Sequence, residues 1–522
     1  MAGTLTLSTL QLRTGTTVEL PPTGVLCIVG GNNVGKSRLL ADIGMHLTSR
    51  DARSTLVLEN LEYAFDEVPS DVEEWLRRHA VVHGQPGEVR QYSPPGGGSL
   101  HDAANYEMFF RNLKDFSYLL SPMMFRAIDA SDRAQIATSS MPVGQNVAHP
   151  LIELFRDGDL EERLSDICQR TFGFPLTLDR VNGEVLLRVG TPSVPSPPLQ
   201  HPTREYSDSV LDLPALRDQG DGVKNYLGMV LHMMTGTESI TVLDEPEAFL
   251  HPAQARALGR HLGEEVVARE RQLLTATHDR DFVLGLLQTD CPVMFLRLNR
   301  TGGLSSATTL APENVKAIWD RPVLRYSNIL QGLFHRVVVV CEGDADCRWY
   351  SAVLDVMGRS AVVPSEEVLF VPAGGKGQVR SSLEALGSLD VTSFAILDFD
   401  GILDPDYVVS LLRSLGGDHE EGGRLARAIS SQLTSSEQRR WAKESGLAGL
   451  PPGTVTEMAH RLIDVMRASG VLIVPIGELE SFDRTIGGHG PTWVTAALSA
   501  EKHQESAASS DLLRPVLSCL EV

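Results

Sequence analysis

Short apolar runs that end in glycine or acidic residues recur along the chain, and stretches with helical apolar spacing separate them. A short apolar run bounded by turn residues is typical of a buried strand. Strands that alternate with helices form α/β domains with mostly parallel sheets. We predict such strands at 25–29, 240–243 and 271–278, and at 337–341, 368–378, 394–397 and 471–481.

The interval 45–205 breaks this alternation. It contains helical spacing at 71–82, 105–120 and 149–173, and two proline- and glycine-rich stretches at 92–100 and 189–209 that we expect to be irregular. We interpret it as an insertion lobe with helical elements, and the absence of sustained heptads excludes long coiled-coil arms. The predicted domains are 1–330 and 331–522, with a helical insertion at 404–470.

The composition is that of an ordinary globular protein: 42% of the 522 residues are hydrophobic and 22% are charged. No apolar run approaches the roughly 18 residues that span a membrane, and the opening residues lack a secretory signal. The six cysteines form no C-x-x-C pair. We therefore expect a cytoplasmic protein with reduced thiols and no membrane contact.

The net charge of −21 argues against binding of nucleic acid through overall charge. Contact with nucleic acid would need a local basic surface, bridging metal ions or a surface made by oligomerisation. Residues 420–444 are the best local candidate, and they are equally well interpreted as a solvated helix face. Their cations are Arg424, Arg427, Arg439, Arg440 and Lys443.

A phosphate-binding motif follows the first predicted strand. Residues 24–40 read GVLCIVGGNNVGKSRLL, which places a glycine loop between a strand and a helix. In such loops the backbone N–H groups and the helix N-terminus surround phosphates, the lysine reaches the β- and γ-phosphates, and the serine binds Mg²⁺. The predicted ATP-binding residues here are Gly30, Asn33, Gly35, Lys36, Ser37 and Arg38.

Two later strand ends complete the expected ATPase site. Asp244, in ITVLDEPEAFLHP, ends an apolar run and is placed to hold Mg²⁺, and Glu245 can activate the attacking water. His278, in RQLLTATHD, ends the next run, where it is a candidate γ-phosphate sensor. The alternative for His278 is the structural role that single histidines usually have.

The order GGNNVGKS, LDEPEAFLHP, ATHD resembles the ABC-type ATPase heads of recombination and repair proteins. The resemblance implies hydrolysis between two copies, hence a homo-oligomer of at least a dimer. It also implies a signature loop, which corresponds here to 217–234. Gly220 and Gly222 are its predicted ATP contacts; its usual serine is missing, so backbone amides and Lys224 would replace it. Gln145 is either the residue that links nucleotide to lobe or a surface glutamine.

A second acidic centre is predicted in the C-terminal part. Glu342 follows one apolar run, Asp398 and Asp400 end another at i and i+2, and Glu478 and Glu480 end a fourth in the same way. Functional groups of parallel sheets lie at the strands' carboxyl ends, and carboxylates gathered there would repel one another without a hard cation. Mg²⁺ or Mn²⁺ is therefore expected; the alternative is ordinary helix caps and turn residues.

These acids resemble the Toprim motifs E-G-x-x-D, here Glu342 to Asp346, and D-x-D, here Asp398 to Asp400, and the resemblance adds Asp346 to the expected metal ligands. The later GELE resembles the OLD nucleases, whose architecture of ABC head and Toprim domain is shared with the Gabija defence nuclease. The resemblance implies metal-dependent cleavage or nicking of DNA with ATP as regulator, in phage defence or DNA repair, with a helicase or other defence protein as a possible partner. It further implies a late lysine, Lys502, which lies on a candidate helix at 493–504, with Lys376 as the alternative.

Two other functions stay open. One is a Toprim ribonuclease that acts on tRNA or another structured RNA. The other is a non-catalytic, ATP-driven sensor that recruits a separate effector.

Overall fold

The computed structural model describes residues 3–31, 33–49, 55–84, 89–95, 97–142, 149–198, 201, 203–301, 304–320 and 328–520. The chain divides into two compact units. The first comprises Met1–Val29, Asn33–Asn299 and Ser305–Val315, and the second comprises Gly30–Asn32, Arg300–Leu304 and Lys316–Val522.

Fourteen strands and twelve helices are described up to residue 320. The strands are β1 Leu5–Leu12, β2 Thr17–Glu19, β3 Gly24–Val29, β4 Leu58–Phe65, β5 Val81–His83, β6 Gln91–Ser93, β7 Phe125–Ile128, β8 Met141–Pro142, β9 Leu176–Asp179, β10 Glu184–Val189, β11 Ile240–Asp244, β12 Gln272–Ala276, β13 Val293–Thr301 and β14 Leu304–Leu310. The helices are α1 Lys36–Thr48, α2 Val72–His79, α3 Ala103–Arg111, α4 Leu113–Met124, α5 Ala130–Thr138, α6 Pro150–Arg156, α7 Gly158–Phe172, α8 Arg204–Leu211, α9 Asp221–Thr235, α10 Pro252–Ala268, α11 Arg280–Leu286 and α12 Pro312–Trp319.

The centre of the first unit is a six-stranded sheet in the order β14-β13-β3-β12-β11-β7. Neighbouring strands from β13 to β7 pair in parallel. Strands β3 and β12 are buried at every position, which explains their continuous apolar sequences. The registers Asp244↔Ala276 and Ala276↔Ile28 bring the carboxyl ends of β11, β12 and β3 to the same sheet edge. The predicted α/β class is confirmed.

The prediction of an insertion over 45–205 is wrong in part. Strand β7 lies inside this interval, yet it pairs in parallel with β11 as the end strand of the central sheet. Strand β4 also lies inside it and pairs antiparallel with β1, burying Leu58 and Leu61. The expected irregular stretches are shorter than predicted, because β6 includes Tyr92, which is fully buried, and α8 begins at Arg204.

The second unit contains a four-stranded sheet, β16-β15-β17-β18, in which every pair is parallel. Its strands are β15 Val337–Cys341, β16 Val368–Pro372, β17 Ser393–Leu397 and β18 Val471–Ile473. Its helices are α13 Asp344–Ala361, α14 Lys376–Ser388, α15 Pro405–Ser414, α16 His419–Gln432, α17 Ser436–Ser445, α18 Thr454–Ala468, α19 Pro491–Ser499 and α20 Ala507–Ser518. The predicted helical character of 404–470 is observed in α15 to α18.

The order of this sheet creates a crevice between two of its strands. The chain passes from β15 to β16 on one side and then to β17 on the other side of β15. In open parallel sheets such a reversal separates the two connections and opens a ligand crevice at the strands' carboxyl ends. Glu342 follows β15 and Asp398 follows β17, so both acids are located at this crevice.

The secondary structure predicted at three places in the second unit is wrong: at Asp398 and Asp400, at Glu478 and Glu480, and at Lys502. Strand β17 ends at Leu397, and Asp398 precedes a 3₁₀ helix, Phe399–Ile402, so strand alternation does not orient Asp398 and Asp400. Strand β18 ends at Ile473, and the N–H of Val474 just beyond it donates to the carbonyl oxygen of Leu397 at 2.9 Å. Glu478 and Glu480 instead lie at the start of a 3₁₀ helix, Leu479–Phe482. Lys502 begins another, Lys502–Gln504, beyond the end of α19.

Among the described residues, no helix has the length and apolar character needed to cross a bilayer. All six cysteines are free thiols, as predicted.

Candidate functional site

The loop between β3 and α1 has the backbone of an anion-binding loop. Gly30 and Gly35 have φ of 138° and 104°, and Asn33 has φ of 60°, so three positions adopt conformations that favour glycine or asparagine. Helix α1 begins at Lys36, which is only 9% exposed, and Ser37 beside it is exposed. The first N–H groups of a helix have no intrahelical partner, and this helix start follows the glycine loop directly, which fits the binding of phosphate and hence of ATP.

Arg38, also predicted to contact ATP, forms an ion pair with its own helix. Its Nε lies 2.8 Å from Asp42 Oδ1. The other oxygen of this buried carboxylate accepts hydrogen bonds from the N–H groups of Leu56, Val57 and Leu58. The pair therefore connects α1 to the start of β4.

The backbone after β11 is held by a buried arginine that sequence reasoning missed. Arg133 of α5 donates to the carbonyl oxygen of Asp244 and, at 3.0 Å, to that of Glu245. Asp244 Oδ1 is buried and has no hydrogen-bond partner among the described residues. An unpartnered buried carboxylate oxygen at this place suits the Mg²⁺ that was predicted there.

Glu245 and His278 come together, as their predicted roles require. Glu245 has φ of 47°, and its N–H donates to Ala276 of the neighbouring strand at 2.8 Å. Its Oε1 lies 3.4 Å from His278 Nδ1. The side chains of both residues are about half exposed, 51% and 55%, so both are accessible to a nucleotide and to water.

Glu247 is a second residue that sequence reasoning missed, although it is visible as the second glutamate of DEPEAF. Its Oε1 accepts hydrogen bonds from Thr277 Oγ1 at 2.7 Å and from the N–H of His278 at 3.1 Å, and lies 3.5 Å from His278 Nδ1. Burial raises the pKa of Glu247, while these hydrogen bonds act in the opposite direction. Glu247 therefore positions His278.

The segment predicted as a signature loop starts a helix. Gly220 is the N-cap of α9, and Gly222 lies in its first turn rather than before it. A Cβ at Gly222 would lie 2.6 Å from the carbonyl oxygen of Phe249, so the glycine is required for packing. Lys224 Nζ lies 2.8 Å from Asp221 Oδ1. Gln145 lies outside the described residues.

The crevice between β15 and β17 holds closely interacting acids. The N–H of Asp398 donates to Glu342 Oε1 at 3.1 Å. Burial, reinforced by the charges of Glu342, Asp346, Asp400 and Glu478, raises the pKa of Asp398 to about 8. Burial likewise raises the pKa of Glu342. A proton or a cation is therefore favoured at this crevice near neutral pH.

Three other predicted metal ligands have partners of their own. Asp346 Oδ2 accepts from the N–H of Gly343 at 2.8 Å and thus caps α13. Glu480 Oε1 accepts from the N–H of Gly490 at 2.6 Å and lies 2.6 Å from Nδ1 of His489. Glu478 Oε2 is 3.9 Å from Lys443 Nζ. For Asp346, the alternative interpretation as a cap is what the structure shows.

The two candidate lysines lie beside different acids. Lys376 Nζ is 3.5 Å from Asp400 Oδ1, so this alternative lysine contacts a predicted metal ligand. Lys502 Nζ is 3.1 Å from Asp483 Oδ2. Hydrogen bonds from Thr485 and then from Lys502 lower the pKa of Asp483 to about 2.

The acidic crevice does not form a closed metal cage. Among the residues that the structure describes, no three His, Cys, Asp or Glu side chains converge closely enough to enclose a metal ion. Mg²⁺ commonly keeps several waters and uses only one or two carboxylates, so Glu342, Asp398 and Asp400 fit an open, hydrated site rather than an all-protein one.

One family model matches the chain, over residues 105–285, and it is described as "AAA domain, putative AbiEii toxin, Type IV TA system". The matched region includes Asp244, Glu245 and His278 and begins after the phosphate-binding loop. The first unit contains a P-loop ATPase domain. None of the curated proteins compared with the chain matches it.

Among solved structures, an SMC head bound to the C-winged helix domain of ScpA is 13% identical, with a TM-score of 0.37, and covers 59% of this chain and 99% of its own. The SMC head domain from Thermotoga maritima is 14% identical, with a TM-score of 0.32 and coverages of 58% and 99%. The cbiO1 structure from Clostridium perfringens is 15% identical, with a TM-score of 0.29 and coverages of 61% and 94%.

Part of the candidate basic surface at 420–444 is taken up by local contacts. Arg424 pairs with Glu421 at 2.7 Å and Arg440 with Glu444 at 2.8 Å. Arg439 donates to the carbonyl oxygen of Leu433 at 3.1 Å. These contacts favour the interpretation as a solvated helix face.

Proposed function

We propose that the chain is an ATP-dependent nuclease, in which an ABC-type ATPase head, residues 1–330, regulates a divalent-metal-dependent centre in a Toprim-type domain, residues 331–522. Its substrate is DNA, which it cleaves or nicks. The observation that carries this proposal is the meeting of Glu342 and Asp398 in the crevice between β15 and β17, where the N–H of Asp398 donates to Glu342 Oε1 at 3.1 Å.

The charges and the strand order of the second unit both support a metal site in the crevice between β15 and β17. Carboxylates that repel one another at a buried sheet edge bind hard cations well, because the cation removes the repulsion. The residues that would hold it are Glu342, Asp398 and Asp400. A divalent cation supplies a water of lowered pKa and stabilises the leaving oxygen of a phosphodiester. Lys376, next to Asp400, adds a positive charge that can contact the phosphate.

In the ATPase head we assign Mg²⁺ to Ser37 and Asp244, the attacking water to Glu245, and γ-phosphate sensing to His278. The unpartnered Asp244 Oδ1 and the 3.4 Å contact between Glu245 and His278 support these roles. Following the resemblance, we infer that two heads enclose ATP and that the protein acts in phage defence or DNA repair.

The decisive experiment compares Asp398→Asn with the parent protein. Plasmid, linear duplex and tRNA are incubated with Mg²⁺ or Mn²⁺, with and without ATP, while phosphate release is measured in parallel. We expect the variant to lose at least about a hundredfold in DNA cleavage, the scale of removing one electrostatic stabiliser, with ATP hydrolysis retained. The matched control is Asp511→Asn, an exposed carboxylate of α20 that pairs with Arg514.

Equal cleavage by Asp398→Asn and the parent would refute the nuclease centre. If tRNA is cut and neither DNA substrate is, the substrate is RNA and the assignment of DNA is wrong.

A non-catalytic sensor is the second candidate, and one observation favours it. Glu480 is already bound by the N–H of Gly490 and lies against His489, and Asp346 caps a helix, so these two acids have structural partners without any metal. If no substrate is cut with either metal while ATP is still hydrolysed, this candidate replaces the nuclease.

A further inference from the structure

A cavity of about 670 Å³ lies within the first unit, away from the phosphate-binding loop. Arg126, near the start of β7, and Glu238, just before β11, contribute to its lining. These positions are at the amino ends of strands whose carboxyl ends lead to the ATPase residues. The cavity is therefore at the opposite edge of the central sheet from Asp244, and its volume is in the range of small-molecule sites.

Several arginines contribute to the cavity wall: Arg77, Arg78, Arg126 and Arg156. The pairs made by Arg77 and Arg78 with Glu73 and Glu74 join side chains that are 44–67% exposed. Arg126 Nη2 lies 3.9 Å from Asp132 Oδ2, at the limit of an ion pair. Exposed pairs of this kind contribute little, so an anion can recruit these guanidinium groups, which suit phosphate in bidentate geometry.

The buried side of the cavity carries two polar atoms without hydrogen bonds. His232 is 4% exposed, and its Nε2 lies 3.6 Å from Glu238 Oε2. Neither atom has a hydrogen-bond partner among the described residues. Burial lowers the pKa of His232, while the nearby Glu238 acts in the opposite direction. Buried polar atoms without partners are costly. Both side chains keep a small exposed surface, 5% and 12%, and both line the cavity.

We propose that this cavity binds a phosphorylated nucleoside, at a site separate from the phosphate-binding loop. The arginine wall takes the phosphates. His232 and Glu238 offer an imidazole and a carboxylate to the hydrogen-bonding edge of the base. Apolar side chains that also line the cavity, Val82 and Ile136 among them, suit the flat faces of the base.

Two helices connect this cavity to the ATPase residues. Helix α5 lines it with Asp132, Gln135 and Ile136, and Arg133 of the same helix holds the carbonyl groups of Asp244 and Glu245. Helix α9 lines it with His232 and Thr235 and begins at the segment predicted as a signature loop. The two helices are packed so closely that a Cβ at Gly228 of α9 would lie 1.7 Å from the carbonyl oxygen of Arg133. Occupancy of the cavity is therefore expected to change the rate of ATP hydrolysis.

The test uses full-length protein with Lys36→Ala, which removes binding at the phosphate-binding loop. Binding of ATP, GTP, cyclic di-GMP and inorganic tripolyphosphate is measured by calorimetry. We expect at least one nucleotide to bind once per chain, with tripolyphosphate competing. Adding Arg126→Gln should weaken binding about tenfold or more, the effect of losing roughly one charge-assisted contact. The control is Arg170→Gln, an exposed arginine 3.6 Å from Asp166 that is absent from the cavity lining.

Absence of binding by every nucleotide up to millimolar concentration would overturn the proposal, as would equal affinities for the Arg126→Gln and Arg170→Gln proteins. If Arg126→Gln lowers the melting temperature, Arg78→Gln is tested in its place, because the side chain of Arg78, in α2, is 67% exposed. Binding of a short DNA oligonucleotide without binding of any nucleotide would also refute it. Nuclease activity enters none of these measurements, so this site and the proposed nuclease centre can fail independently.

Discussion

Lys376 Nζ lies 3.5 Å from Asp400 Oδ1 and 3.4 Å from the carbonyl oxygen of the same residue. Tyr407 supports this lysine in two ways: its O–H donates to the carbonyl oxygen of Lys376 at 3.0 Å, and its ring centroid is 5.4 Å from Nζ. Lys502 has no such relation to the crevice acids among the described contacts, since it pairs with Asp483. The positive charge next to the proposed nuclease centre thus comes from α14.

Lys376→Ala should reduce DNA cleavage by about tenfold or more, because it removes the cation beside Asp400. Lys376→Arg should retain part of the activity, since the charge is kept while the geometry changes. Initial rates of plasmid nicking in Mg²⁺ measure both effects, and ATP hydrolysis serves as the internal control.

The matched comparison is Lys502→Ala, for which we expect the smaller loss. A large loss there, with Lys376→Ala close to the parent, would return the role to Lys502, as the family resemblance implies.

Glu245→Gln should bind ATP but hydrolyse it at least about a hundredfold more slowly, because the amide cannot accept the proton of the attacking water. His278→Ala should also slow hydrolysis, since it removes the group 3.4 Å from Glu245 Oε1. Lys36→Ala should instead weaken nucleotide binding. Phosphate release and the affinity for a fluorescent ATP analogue separate the two kinds of effect.

Glu247→Gln provides the control for this series. Its amide oxygen can still accept hydrogen bonds from Thr277 and from the N–H of His278, so we expect a smaller loss than for Glu245→Gln. If Glu247→Gln is the slower of the two, Glu247 is the base and the assignment of Glu245 is wrong.

The strands of both central sheets could be predicted from the sequence because both of their faces are covered. Val337–Cys341 is five apolar residues in the sequence and five buried residues in the structure, so one pattern gives both the strand and its ends. Parallel pairing then puts Glu342 and Asp398 at one edge without further information.

The residues beyond the strand ends could not be predicted in the same way. The strands end at Leu397 and Ile473, and the residues that follow lie in turns and 3₁₀ helices. The rule that residues i and i+2 of a strand point to the same side therefore no longer applies to them. Arg133, which holds the backbone of Asp244 from 111 positions away, depends on packing that no local pattern encodes. That Lys376 rather than Lys502 lies next to Asp400 likewise depends on tertiary packing.

Gly228→Ala should destabilise the first unit by about 1–3 kcal/mol, because the added Cβ would lie 1.7 Å from the carbonyl oxygen of Arg133 and would force α5 and α9 apart. Urea unfolding followed by circular dichroism measures the change. Gly387→Ala, in a helix where nothing lies within 4 Å of the new Cβ, should leave the unfolding free energy unchanged or raise it by up to about 1 kcal/mol. Equal unfolding midpoints for the two variants would show that the helices can separate at little cost.

The unfolding free energy should fall as pH rises from about 4 to about 8 in the absence of metal. The pKa of Asp398 is raised from 3.8 to about 8 by burial and nearby carboxylates, so the folded state holds a proton in this range that the unfolded chain has released. The contribution of this group is thus fully present below pH 4 and is lost as pH approaches 8, at no more than about 1.4 kcal/mol for each pH unit. Melting temperatures in EDTA at pH 6 and pH 8.5 measure the slope.

Asp398→Asn should flatten this slope, since the amide does not ionise, and should melt above the parent at pH 8.5. Glu342, Asp346 and Glu478, whose pKa values burial also raises, leave part of the slope in place. Mg²⁺ should restore the melting temperature of the parent at pH 8.5 but that of the variant far less, because a cation replaces the proton only where the carboxylate can ionise. The control Asp511→Asn should follow the parent throughout. Parallel profiles for Asp398→Asn and the parent, with and without Mg²⁺, would mean that Asp398 is not the group that responds to protons and metal in this crevice.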